Sequence, residues 1–154
     1  MILWRLADPR YARDLAGTGN RIVGGRWNSP GRGVVYCSEN LSLCVLENFV
    51  HLPPSLRGQL PPRVAVKIEV PDQEMTDVVK LPSALRGDKL DRWCLKTGDQ
   101  WLRDGSRLIL RVPSIVVEQD YNVILNANHA GMSGVKILET RSFKFDGRLT
   151  EGKT

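Results

Sequence analysis

The sequence predicts an α+β fold, and three observations carry that expectation. Short apolar runs of β type, at 2–6, 34–37, 64–70, 108–112, 115–118, 122–125 and 135–145, outnumber the helical segments. Only two stretches, 39–51 and 88–103, read as helices. Strands and helices do not alternate in the rhythm that builds a parallel sheet. At 154 residues the chain is expected to form one domain over 1–154. A domain of that size buries roughly 68–70% of its unfolded surface and needs no metal or disulfide staple to fold.

Taken in order, the run at 2–6 carries Arg5 between apolar neighbours, a charge on one face of a strand. Gly17, Gly19 and Gly24 lack the G-x-G-x-x-G spacing and follow no clear strand, so nucleotide binding here must use another fold's logic. The run at 34–37 brings Tyr36 and Cys37 to a strand end. The helix at 39–51 is apolar nearly all round, with Leu41, Leu43, Val45, Leu46, Phe49, Val50 and Leu52 covering most of its circumference. Asn40, Cys44, Glu47, Asn48 and His51 fall on one narrow stripe, which faces either water or a cleft. Proline pairs at Pro53, Pro54 and at Pro61, Pro62 bracket a loop. At 64–70, Val64, Val66, Ile68 and Val70 alternate with Ala65, Lys67 and Glu69, the pattern of a half-buried strand. Trp93 and Trp101 are eight apart on the second helix and fall on one buried face. The tail at 150–154 reads as flexible.

Hydrophobic content of 42% and charged content of 25% are ordinary globular values. A net charge of +5 implies an anionic partner: nucleic acid, a nucleotide or an acidic protein. Cys37, Cys44 and Cys94 are an odd number without a C-x-x-C pair, which points to reduced thiols and a cytoplasmic address. The first ten residues do not read as a signal peptide, because Arg5, Asp8 and Arg10 interrupt a short apolar run. No run approaches membrane-spanning length. His51 and His129 are the only histidines, and with no cysteine pair nearby a metal site is not expected. Gly-Met-Ser-Gly at 131–134 is not a nucleophile elbow.

The chemistry concentrates in the stretch that contains Arg26, Tyr36 and Glu47. Arg26 offers a planar, always-charged fork for pyrophosphate. Tyr36 offers a flat ring with a polar tip. Glu47 offers the negative charge that an oxocarbenium-like carbon seeks. Gly24 and Gly25 serve either an ordinary turn or a close approach of backbone to ligand. Ser114, between Pro113 and an apolar run, is either a turn cap or a positioned hydroxyl.

The stretch RIVGGRWNSPGRGVVYCSENLSLCVLENFVHL resembles the core of the RES-domain family, the toxin half of bacterial toxin–antitoxin pairs. The opening MILWRL, the later LRVPSIVV and YNVILNANH, and the closing FKFDGRL resemble that family too. The likeness is weakest across 53–87. It implies an ADP-ribosyltransferase-like fold, with two β-sheets packed face to face around an NAD cleft and helices at the flanks. It implies that Arg26, with Gly25 beside it, binds the nucleotide, that Arg5 assists, and that the ring of Tyr36 packs on the nicotinamide while its hydroxyl steers the reacting centre. Glu47 falls on the family's glutamate and Ser114 on the serine of its Arg-Glu-Ser name. His129 lies on a matched segment, as a residue bounding the cleft or as a loop histidine.

The expected function is that of a toxin that cleaves NAD, its substrate, at the nicotinamide–ribose bond without a metal. The acceptor is water, phosphate or a side chain of a target protein. The resemblance also implies an Xre-type antitoxin entering the pocket with an acidic segment or carboxyl terminus, favoured by Arg21, Arg26 and Arg32. Charge alone fits a second reading, a basic RNA-binding or RNA-cleaving toxin, though no RNA-binding motif is legible. A non-catalytic binding module would make the Arg–Tyr–Glu spacing a coincidence.

Overall fold

The computed structural model describes residues 1–56, 58–72 and 76–149. The elements run β1 (Ile2–Ala7), α1 (Thr18–Val23), β2 (Val34–Ser38), α2 (Leu41–His51), β3 (Arg63–Glu69), β4 (Asp77–Val78), α3 (Gly87–Asp104), β5 (Ile109–Pro113), β6 (Tyr121–Asn126) and β7 (Lys136–Phe143). The α+β expectation holds. The strands join edge to edge in the order β4-β5-β6-β2-β1-β3-β7, one seven-stranded ladder. Where two sheets were expected the strands form this one, narrowest at a crease: β1 meets β2 at one residue pair, Trp4 with Ser38, while β1 and β3 pair along the length of β1.

Across this crease the two halves share a core. Leu3, Val66 and Ile68 from one side pack in a single cluster with Val35, Ile109, Val123 and Leu125 from the other. The central strands are buried on both faces, so they read as continuous apolar runs rather than as alternation. Their opposite face, with Val34, Leu110, Val112 and Ile124, packs beneath α3 against Trp27, Cys94 and Trp101. A third cluster joins Leu6 of β1, Ala65 of β3, Cys44 of α2 and Phe145. Helix α2 packs on both β1 and β2, straddling the crease.

Both predicted helices form, with small shifts at their ends. Helix α2 begins at Leu41 because Asn40 caps it, its side chain accepting from Leu43 N–H at 2.7 Å. Helix α3 stops at Gly105, whose φ of 64° closes it in the left-handed region. Gly98 on α3 is a steric necessity: a Cβ there would lie 1.9 Å from the Trp27 carbonyl oxygen. The helix therefore rides directly on the backbone that follows Arg26.

Two expectations need correction. The run at 115–118 is not a strand. The Ser114 hydroxyl accepts from Val116 N–H at 3.1 Å and Val117 N–H at 2.9 Å, folding the chain into a turn that removes those donors from any ladder. The short helix α1 had no signature, since Gly17 precedes it without a side-chain cap. The expected tail at 150–154 lies outside the described residues. Cys37, Cys44 and Cys94 are free and buried, and among the described residues no helix is long and apolar enough to cross a membrane.

Candidate functional site

A cavity of about 1020 Å³ opens beside the crease, and Arg5, Arg26, Tyr36 and Glu47 all line it. Its size is at the upper end of small-molecule sites. Four fold elements thus converge: β1 brings Arg5, the loop after α1 brings Arg26, β2 brings Tyr36 and α2 brings Glu47. Gly25 lies instead on a smaller adjoining pocket of about 370 Å³, which shares Arg26 and His51 with the main one.

The polar stripe of α2 faces inward. Cys44 Sγ donates to the Trp4 carbonyl at 3.0 Å, and Asn48 Nδ2 to the Leu6 carbonyl at 3.3 Å, so the helix is tied to β1 by the stripe that carries Glu47. Apolar Leu46 and Val50 are left exposed at 38% and 42%. The stripe's two readings are thereby separated in favour of the cleft.

The Glu47 side chain is 17% exposed. Its Oε1 accepts from Ser114 Oγ at 2.8 Å and from Asn122 Nδ2 at 2.6 Å. Its Oε2 has His51 Nε2 at 3.5 Å. One oxygen is thus held by two neutral donors, and the other has only His51 beside it on the cavity wall. Ser114, expected as a contact to the ligand, is 1% exposed and lies outside the cavity lining. Its lone pairs take backbone N–H groups and its proton goes to Glu47, so it serves the carboxylate instead.

Tyr36 also differs from expectation. Its hydroxyl accepts from Trp27 N–H at 2.9 Å and donates to Asn28 Oδ1 at 2.9 Å. The proton that was to steer a reacting centre is committed to the Arg26 loop. Burial pushes the phenol well above its ordinary value, so it stays neutral. Asn28 is fully buried, and its Nδ2 donates to the carbonyls of Asn20 at 3.0 Å and Arg32 at 3.1 Å. Gly25 is needed because a Cβ there would sit 2.7 Å from the Tyr36 hydroxyl. Its absence of side chain makes room for tyrosine, whatever else it does.

Arg26 is paired with Asp91 of α3, its own side chain 30% exposed. Arg5 Nη1 donates to the Asp14 carbonyl at 2.6 Å. The basic surface expected around Arg21, Arg26 and Arg32 is partly committed to protein groups: Arg32 lies 3.6 Å from Asp99, and Arg21 Nη2 donates to the neutral oxygens of Ala16 and Asn128. Apolar Ile22, Val23, Val50 and Ile115 line the same cavity while exposed at 64%, 74%, 42% and 41%. His129 does not line it; its Nδ1 caps a turn by accepting from Gly131 N–H at 3.0 Å. Sequence reasoning passed over Asn28, Asp91 and Asn122. Asn28 stood inside the GGRWN motif, but nothing local marked Asp91 or Asn122.

The model of the RES domain matches residues 2–146. A Sphingobium sp. (strain YBL2) protein called Prs ADP-ribosylating toxin is 36% identical over 95% of this chain and 94% of its own length. A protein of Photorhabdus laumondii called Toxin Res is 32% identical over 99% of both chains. Among solved structures, a chain of the M. tuberculosis MbcT–MbcA toxin–antitoxin complex superimposes with a TM-score of 0.73 at 16% identity, covering 97% of this chain and 86% of that one.

Proposed function

Since the chain belongs to the RES-domain family of toxins, we propose that it cleaves NAD at the nicotinamide–ribose bond in the cavity between β1, β2 and α2. The observation that carries this reading is Glu47, a mostly buried carboxylate that lines the cavity with one oxygen fixed by neutral donors and the other beside His51 at 3.5 Å. The bond is primed to break: its electron pair leaves with the ring nitrogen, and cationic nicotinamide departs neutral. The positive charge passes to the ribose carbon, where a nearby carboxylate lowers the barrier. Arg26 holds the pyrophosphate, exchanging Asp91 for it, and Arg5 adds a second cation. The Tyr36 ring forms a wall for the base, while its hydroxyl keeps the Arg26 loop in place. Ser114 supports Glu47.

The acceptor that captures the ribose carbon is water, phosphate or a protein side chain. Incubating the purified protein with NAD, with and without phosphate and with and without cell extract as a source of target protein, and weighing the products distinguishes them: ADP-ribose, a phosphorylated ADP-ribose, or a protein gaining one ADP-ribosyl mass. NAD left intact under all conditions, with the protein folded, rejects the reading.

The partner in the same proposal is an antitoxin of Xre type that plugs the cavity. The exposed apolar rim of Ile22, Val23, Val50 and Ile115 supports a plug that is apolar at its base and acidic near Arg26. Co-expression should rescue growth and yield a stable complex without NAD turnover. A complex that still consumes NAD at the free rate excludes occlusion.

A further inference from the structure

Asn122, the second residue of β6, reaches Glu47 from the half of the sheet that lies across the crease from β1. A carboxylate can only accept hydrogen bonds, so the amide must present its NH₂ to Glu47 Oε1, at 2.6 Å. Its own carbonyl oxygen is then turned away, and there it accepts from Ser38 Oγ at 2.6 Å. Ser38 is 3% exposed at the end of β2, so this donor is itself held in place. The chain Ser38–Asn122–Glu47 therefore has one polarity, each donor pointing at the next acceptor, and it ends on the oxygen that Ser114 also holds.

We propose that Asn122, oriented by Ser38, is a positioning residue that fixes the Glu47 carboxylate so that Oε2 is the oxygen presented to the reacting ribose. The inference rests on the reading of Glu47 as the charge-supplying group. Ser114 alone would leave the carboxylate free to rotate about that single hydrogen bond. Asn122 supplies the second point that defines its plane. The titratable and charged groups around Glu47 are His51 at 3.5 Å, the Cys44 thiol on α2 itself, and Arg5, Asp8, Arg26 and Arg63, which line the same cavity.

Four variants of the full chain test this: Asn122→Ala, Asn122→Asp, Ser38→Ala and Glu47→Gln, together with the Asn122→Ala/Glu47→Gln double. Turnover, NAD affinity, thermal unfolding and the pH profile are measured on each. Asn122→Ala should lower kcat by about 10- to 100-fold, the scale for removing a partner that orients a reactive group, and leave NAD affinity within about twofold. Asn122→Asp keeps the shape but sets a second carboxylate against Glu47, so the two share a proton and the acid limb of the profile moves to higher pH. Ser38→Ala, a milder cut that spares the amide, should give a smaller fall in kcat of the same kind. In the Glu47→Gln background, Asn122→Ala should cost nothing further, because residues acting as one unit are not additive. An Asn122→Asp enzyme with an unmoved acid limb and full kcat overturns the inference, as does a fully additive double variant. A Glu47→Gln enzyme that turns over NAD at the wild-type rate removes the active-site reading itself, and this inference with it. An inactive Glu47→Gln beside a wild-type-like Asn122→Asp overturns the positioning role alone.

Discussion

Arg26 and Glu47 line one cavity, yet the fold treats their charges differently. Arg26 is already paired with a carboxylate, Asp91, which is 57% exposed on the surface of α3. Glu47 is 17% exposed and takes its two short hydrogen bonds from a serine and an asparagine, neutral donors from two strand ends. An exposed ion pair is exchangeable at little cost, since solvent screens both partners. A desolvated carboxylate held by neutral groups keeps most of its field for whatever enters. One wall is thus built to swap a partner and the other to wait for a charge that does not yet exist.

That contrast can be broken most strongly at Glu47. Glu47→Gln retains an oxygen to accept from Ser114 and Asn122 while deleting the charge. Turnover should fall by roughly 10²- to 10³-fold, the scale for one electrostatic stabiliser, while NAD affinity changes little, because the full positive charge develops only in the transition state. Initial-rate kinetics and calorimetry on one preparation check both halves. Wild-type turnover by a folded variant would contradict the division of roles.

Next in size is Arg26→Lys, which keeps the charge and loses the fork. A charged hydrogen bond contributes about 1.5–3 kcal/mol, so kcat/KM should drop by about 10- to 100-fold, mainly through KM. An effect confined to kcat would move Arg26 to the reacting centre.

Tyr36→Phe tests the scaffold between the walls. It strands the Trp27 N–H and Asn28 Oδ1, so stability should fall by about 1–3 kcal/mol in denaturant titrations. The wild-type protein offers a companion measurement. Burial raises the Tyr36 phenol above its ordinary 10.0, so the folded state holds that proton more tightly than the unfolded chain. Stability from this group is complete below that pH and drains away as pH rises beyond it. A phenolate absorbance that develops near pH 10 for every tyrosine of the folded protein would contradict it.

The smallest expected effect sharpens the comparison at Asp91. If the pair with Arg26 is a placeholder, Asp91→Asn should improve NAD affinity. An exposed pair contributes roughly 0.2–1 kcal/mol, so the gain is about 1.4- to 5-fold and shrinks at high salt. Weaker binding would instead make Asp91 the residue that aims Arg26.

Much of the site was legible before the fold. The order and spacing of Arg26, Tyr36 and Glu47 pointed to one ligand, and β1 does bring Arg5 to the same cavity. Local pattern alone left Tyr36 open as a core ring and the α2 stripe open as a wet face, and it was the family resemblance that pointed these residues at a ligand. Local pattern failed at 115–118, where an apolar run was read as a strand and one hydroxyl, Ser114 Oγ, turned the backbone. The resemblance in turn assigned Ser114 and the Tyr36 hydroxyl to the ligand, when both are spent on protein groups. Asn122 and Asp91 meet their partners across 75 and 65 residues of chain. Such contacts depend on how layers stack, and no periodicity along the sequence encodes them.

The crease between β1 and β2 gives the Glu47 carboxylate a second part to play, as a strut. Helix α2 is fastened to β1 through Cys44 and Asn48, whereas Ser114, just past the end of β5, and Asn122 of β6 lie on the far side of the single Trp4–Ser38 pairing. Glu47 is therefore a side-chain brace across the fold line, added to the short link of residues 39–40 by which α2 follows β2. Cutting it with alanine would remove brace and charge together and confuse their effects, whereas glutamine keeps the brace and removes only its charge.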